Sequence, residues 1–246
     1  MGANRPERVC ARDSTGAMTQ DSDTAAAGEG ASQTVYRGIL HALETGAVSP
    51  GQRLIESELA AHFGVGRNAI REAMQKLAAR GVVDLQRNRS ASIRQMDVEE
   101  VQEVLDVSGR IIALLFSTAA RKFDPAVHRA DLDASLAELE RTYEDGDEVA
   151  FSRARRGFYR LALAIAANRE LVRIFPAIGT HIMNAKYQSR PMQTLRIKAY
   201  RAIAGAIADN DPARAQALAI EHNEDMREAV RERARIVDAA GLRRRG

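Results

Sequence analysis

The sequence predicts a mainly α protein in two parts: three short helices closed by a β-hairpin, then an antiparallel bundle built only of helices. Three observations lead there. Apolar residues recur at helical spacing over nearly all of the chain beyond residue 33. Two short β-type runs, VVDLQRN and SASIRQM, flank a polar tip, and no strand-like alternation follows them. Glycines and Asp-Pro pairs fall where helices should stop and start.

Residues 1–33 are rich in Gly, Ala, Ser, Thr and Asp, have almost nothing to bury, and are expected to be disordered. Met18, inside this leader, is an alternative start. From Thr34, Val35, Ile39, Leu40 and Leu43 share one helical face that stops at Gly46, and VSPGQRL reads as a turn. Leu59, Ala60 and Phe63 mark a second helix ending at Gly64; Ile70, Ala73, Met74 and Leu77 mark a third ending at Gly81. Three helices and a hairpin over residues 34–96 are the plan of a winged helix-turn-helix.

Residues 97–238 read as about six helices. Asp97 and Glu100 form a D-x-x-E capping box, and Asp124-Pro125 and Asp211-Pro212 start two further helices, because proline's missing N–H costs nothing in a first turn. Stripes follow at Leu132/Leu136/Leu139/Tyr143, Phe158/Leu161/Ala162/Ile165, Leu171/Ile174/Phe175/Ile178/Ile182, Ile197/Ile203/Ile207 and Ala215/Leu218/Ala219/His222/Met226/Ala229. Residues 239–246 form a basic tail.

Composition narrows the function. No apolar run approaches the roughly 18–20 residues of a membrane span, and the leader has no signal-peptide core, so a cytoplasmic protein is expected. Cys10 is a single thiol in the leader, and no Cys/His cluster suggests zinc. Positive charge is concentrated: residues 33–96 carry nine basic and five acidic side chains, against 24 and 23 in residues 97–246. That balance suits a phosphate-binding module. The five histidines are scattered, and with no phosphate-cradling glycine loop or nucleophile triad an enzyme is not expected.

The stretch IESELAAHFGVGRNAIREAMQKLAARGVVDLQRNRSASI resembles the DNA-binding domain of the GntR regulators through Leu54, Glu56, Leu59-Ala60, Val65, Arg67, Arg71-Glu72-Ala73, Leu77 and Gly81-Val82-Val83. The residues agree with that resemblance. A recognition helix buries one face and offers the other to the major groove, and Arg67 and Arg71, four apart, share the outer one. The resemblance implies DNA contact through Arg67, Asn68 and Arg71, with Gln75 one turn on and Arg87 and Arg89 at the wing tip. Gly66 stands where the family usually has Ser or Thr, and Ser90 near the wing glycine.

RRGFYRLALAIAANREL and AYRAIAGAIADNDPARAQALAIEH resemble the FCD-type effector domain of the FadR subgroup. Its metal-binding members gather one carboxylate and three histidines between helices. The matching positions here are Arg155, Tyr159, Tyr200 and His222, so only His222 is retained, and Ser108 replaces the family's arginine on the first helix, with Arg110 nearby. No metal or other cofactor is therefore expected. Instead, Arg155, Tyr159, Tyr200 and His222 become candidates for direct binding of a small organic anion, a carboxylate being the expected class. The implied whole is a homodimeric, ligand-responsive repressor on a pseudo-palindromic DNA operator. The alternative is a constitutive regulator with a degenerate, non-sensing helical domain.

Overall fold

The computed structural model describes residues 30–85, 91–175 and 189–243. The chain divides into two compact units, Met1–Gln95 and Met96–Gly246. Among the described residues there are nine α-helices and one three-stranded antiparallel sheet, and no helix is long and apolar enough to cross a membrane.

In the first unit, helix α1 (Ala31–Glu44) begins before Thr34, where the sequence pattern placed its start. Ser32 is buried there and its hydroxyl accepts from Lys76 Nζ at 3.1 Å, which draws the first turn into the fold. Val35, Ile39 and Leu43 are buried as the stripe requires. Strand β1 (Arg53–Leu54) lies within what the sequence suggested was only a turn. It pairs with β3 (Ala91–Ile93), which also pairs with β2 (Val83–Asp84), giving the order β1-β3-β2. The wing is thus a hairpin with a third strand.

Helix α2 (Glu56–Phe63) ends on Gly64 at φ 63°, the left-handed cap that glycine adopts without penalty. Leu59, Ala60 and Phe63 are half-buried, not fully inside as the stripe suggested, because this eight-residue helix has no layer outside it. Its Phe63 ring fills the space beside Gly38, where a Cβ would come within 2.4 Å of the ring. Helix α3 (Arg67–Ala79) buries Ile70, Ala73, Met74 and Leu77 against the rest of the unit.

The second unit holds α4 (Val98–Lys122), α5 (Pro125–Glu144), α6 (Glu148–Ala166), α7 (Arg169–Ile174), α8 (Arg190–Ala208) and α9 (Pro212–Arg243). The last helix runs through most of the segment the sequence suggested was a tail. Helix α7 spans Arg169–Ile174 with Phe175 as its C-cap, and Ile178 and Ile182, the rest of the predicted stripe, lie outside the described residues. The capping box at Asp97 is formed: Glu100 N–H donates to Asp97 Oδ1 at 2.8 Å, and Asp97 N–H to Glu100 Oε2 at 3.1 Å. Helix α4 is the spine, packed against α6, α8 and α9. Leu115, Phe116, Phe151, Phe158 and Ile203 form the centre of the core.

Two contacts pin the bundle's turns. Asn210 Nδ2 donates to the carbonyls of Ala120 and Phe123 at 3.1 and 2.7 Å, tying the α8–α9 turn to the end of α4. Lys122 Nζ donates to Ala166 O at 2.7 Å, satisfying a carbonyl at the end of α6. Helix α6 closes on Ala167 in the left-handed region (φ 42°, ψ 44°), where a Cβ is unfavourable and the side chain is exposed. Ala167→Gly should therefore raise unfolding stability by about 0.5–1 kcal/mol, read from the denaturant midpoint at unchanged m-value.

Candidate functional site

The outer face of α3 is built by subtraction. With Ile70, Ala73, Met74 and Leu77 turned inward, positions 67, 68, 71 and 75 fall in an arc of about 100° on the other side. Arg67, Asn68, Arg71 and Gln75 are all exposed. Gly66 is the N-cap and supplies no side-chain hydrogen bond, so the first N–H groups of α3 lack the cap a serine would give. Arg71 Nε donates to Glu56 Oε2 at 3.1 Å, with both side chains largely in solvent (63% and 41% exposed). Such a pair adds little stability but links the guanidinium to the first residue of α2. Arg87 and Arg89 lie outside the described residues.

The second site is inside the helical unit. Arg155 and Tyr159, one turn apart on α6, share a face; Tyr200 is on α8 and His222 on α9. The two tyrosine hydroxyls are 3.4 Å apart, the Tyr200 and His222 rings meet edge-on at 5.4 Å, and the Arg155 guanidinium is 6.0 Å from the Tyr159 ring centre. The structure thus brings all four sequence-derived positions together. Phe116, Phe158 and Phe175 pack on the tyrosine rings at 5.3–5.4 Å and wall the cluster with apolar surface.

A fifth residue was missed. Arg196 on α8 is buried (3% exposed) and sits four residues before Tyr200, as Arg155 sits four before Tyr159. The repeated R-x-x-x-Y spacing was the available signal. Burial first, and then the Arg155 charge, lowers the Arg196 guanidinium to about 10. Burial, followed by the charges of Arg196 and Arg155, pushes His222 down to about 3, so its imidazole is neutral. Burial and then Tyr200 raise the Tyr159 hydroxyl well above its ordinary range, so it remains a donor. Arg155 Nε and His222 Nδ1 are buried without a hydrogen-bond partner among the described residues.

These donors do not fit a divalent cation. One imidazole beside two guanidiniums offers a single ligand in a field of the wrong sign. Among the described residues, no three His, Cys, Asp or Glu side chains gather anywhere. Ser108 is buried on α4, its hydroxyl turned to Leu105 O at 3.5 Å, while Arg110 is exposed.

An exposed cationic helix beside a wing, and a helical unit with a polar centre, define a two-part DNA-binding regulator. Residues 31–93 match the gntR family of bacterial regulatory proteins and residues 103–225 match the FCD domain. The chain belongs to the GntR family of transcriptional regulators and carries an FCD domain. It is 24% identical over 186 residues to the "Probable D-xylose utilization operon transcriptional repressor" of Paenarthrobacter nicotinovorans, spanning 75% of this chain and 81% of that one. It is 26% identical over 172 residues to the HTH-type transcriptional regulator LutR of Bacillus subtilis, spanning 63% of this chain and 72% of that one. The E. coli McbR/YncC structure has the same fold, with a TM-score of 0.72, 16% identity, and coverage of 84% of this chain and 99% of that one.

The neutral His222 makes the fold acid-sensitive. The unfolded imidazole takes a proton near pH 6.5 and the folded one only near 3, so stability is complete above the first value and falls as pH drops toward the second. Among the described residues, Arg196, Arg155 and Tyr200 are the charged or titratable groups that face it. Between neutral pH and about pH 5, wild type should lose up to about 2 kcal/mol more than His222→Gln, measured by urea unfolding of both proteins across that range.

Proposed function

We propose that this GntR-family regulator is a ligand-responsive repressor acting in the cytoplasm as a homodimer on a pseudo-palindromic DNA operator. Each protomer presents α3 to one half-site, with Arg67, Asn68 and Arg71 as principal readers, Gln75 one turn further, and Arg87 and Arg89 from the wing on the adjacent backbone. The carrying observation is the division of α3 into a buried apolar stripe and an exposed face bearing Arg67, Asn68, Arg71 and Gln75. Arginine's planar fork suits the O6/N7 edge of guanine or a phosphate. Repressor names among the relatives favour that sign of control.

Homodimer formation draws support from α4. Val107 and Leu114 are exposed (59% and 52%) and sit seven residues apart with half-buried Ile111 between them, an apolar stripe at helical spacing. The effector is a small organic acid bound without a metal by Arg155, Tyr159, Tyr200 and His222. Operator and effector are linked reciprocally, so a ligand that prefers the conformation not fitted to DNA weakens operator binding.

Selection from a random duplex pool should return two inverted half-sites, and sedimentation should show a dimer bound to them. On that duplex, Arg67→Ala or Arg71→Ala should each weaken binding by about 1–3 kcal/mol, measured by fluorescence anisotropy. Unchanged affinity and sequence preference would remove both from the reading face. A helical unit that no organic acid stabilises would favour a constitutive regulator instead.

A further inference from the structure

The ion pair between Arg71 and Glu56 joins two elements of the first unit, and both of its ends stand on anchored backbone. Arg71 follows Ile70 and precedes Ala73 on α3, and both of these are fully buried. Glu56 opens α2 two residues after Leu54, which is buried and paired with Ala91 across the sheet. The 3.1 Å bond from Arg71 Nε to Glu56 Oε2 therefore runs between fixed points. Glu72, beside Arg71 in sequence, does not compete for the guanidinium, because its carboxylate is held by Lys76 Nζ at 2.8 Å.

The atoms used decide what is left for a partner. A guanidinium carries five N–H donors, one on Nε and two on each terminal nitrogen. It can meet the O6/N7 edge of guanine end-on through both terminal nitrogens, or side-on through Nε and one of them. Glu56 occupies Nε, so the end-on fork remains. Charge acts in the same direction. The pair is neutral as a whole, which weakens its pull toward a phosphate, whereas a base edge is recognised by hydrogen bonds at little net charge.

We infer that Glu56 is a positioning residue for sequence reading: it keeps Arg71 off the phosphates and presents its two terminal nitrogens to one guanine in each half-site. The inference rests on the proposed reading face of α3 and sharpens it, since it gives Arg71 a base, and not the backbone, as its partner.

The test uses the full chain and three kinds of probe: the duplex returned by selection, a set with each base pair of one half-site changed in turn, and a scrambled duplex of the same composition. Anisotropy is read at several salt concentrations for wild type, Arg71→Ala, Glu56→Ala and Glu56→Gln. Alanine removes the acceptor; glutamine removes the charge but keeps an oxygen of the same reach. Arg71→Ala should lose the preference at one G·C pair. Glu56→Ala should weaken the preference at that same pair by about three- to tenfold, while Glu56→Gln retains most of it. On the scrambled duplex, the salt dependence of Glu56→Ala should be steeper than that of Glu56→Gln by about one phosphate's worth, a slope change of about 0.9, as the released arginine swings to the backbone. Equal losses in the two Glu56 variants would make the effect one of charge alone and overturn the inference. An unchanged preference in Glu56→Ala, or a loss at a different pair from Arg71→Ala, would overturn it while leaving the reading face in place. An Arg71→Ala variant that keeps every preference, or a selection that returns no preferred sequence, would remove the proposed reading by Arg71 and the role of Glu56 with it.

Discussion

The guanidinium of Arg196 lies almost wholly out of water in the middle of a helical unit, and the chemistry around it follows from that placement. Aromatic rings on α4, α6 and the end of α7 surround the cluster, so the charges within it are not screened as they would be at the surface. An imidazole placed there cannot also be protonated, and His222 is held neutral. A phenol placed there cannot ionise without a large desolvation cost, and Tyr159 keeps its proton. Geometry then concentrates the effect. The four-residue spacing of Arg155–Tyr159 and of Arg196–Tyr200 puts a guanidinium and a hydroxyl on the same face of each helix, and the two hydroxyls meet.

The first unit uses the same residue type under the opposite condition. Arg67 and Arg71 are exposed, so their charges are hydrated and screened by salt. Such arginines are suited to a partner that brings its own dense negative charge and a rigid edge to read, as duplex DNA does. Glu56 holds Arg71 from the neighbouring helix, which trades some rotamer freedom for a defined direction before any partner arrives. Exposure therefore separates two arginine environments within one chain: hydrated, salt-screened side chains on the outer face of α3, and the desolvated guanidinium of Arg196 in the helical unit.

Much of this was legible in the sequence because it depended on local rules. The buried stripe of α3, the capping box at Asp97, and the glycines at 46, 64 and 81, all at positive φ, are set by the backbone and by residue spacing. Strand β1 was not legible, since a two-residue strand has no periodicity and exists only through its pairing with β3. The inward limit of α2 was missed for a related reason: spacing identifies the inner face of a helix but not how much protein lies beyond it. Arg196 was the most consequential omission. An arginine on a helix is ordinarily read as solvated, and only tertiary packing buries this one. The repeated interval to tyrosine marked it, but a pattern of two needs a reason to be noticed.

That reason comes from the sign of the charge. In the metal-binding relatives that the sequence resembles, a carboxylate and imidazoles converge on a cation; here arginine and tyrosine stand at three of the four matching positions and His222 at the fourth. Exchanging Asp for Arg at one of them changes the local charge by two units without disturbing the helix that carries it, because both residues reach from the same backbone position. Arg196 then adds to the inversion from the facing tyrosine's helix. On the proposed reading, the scaffold is preserved while the class of ligand it favours moves from one held through a metal to one held by guanidinium and hydroxyl donors. Family membership therefore carries over the DNA-binding plan and the helical fold, while Arg155, Arg196 and the two tyrosines give this chain's helical unit a polar centre of its own.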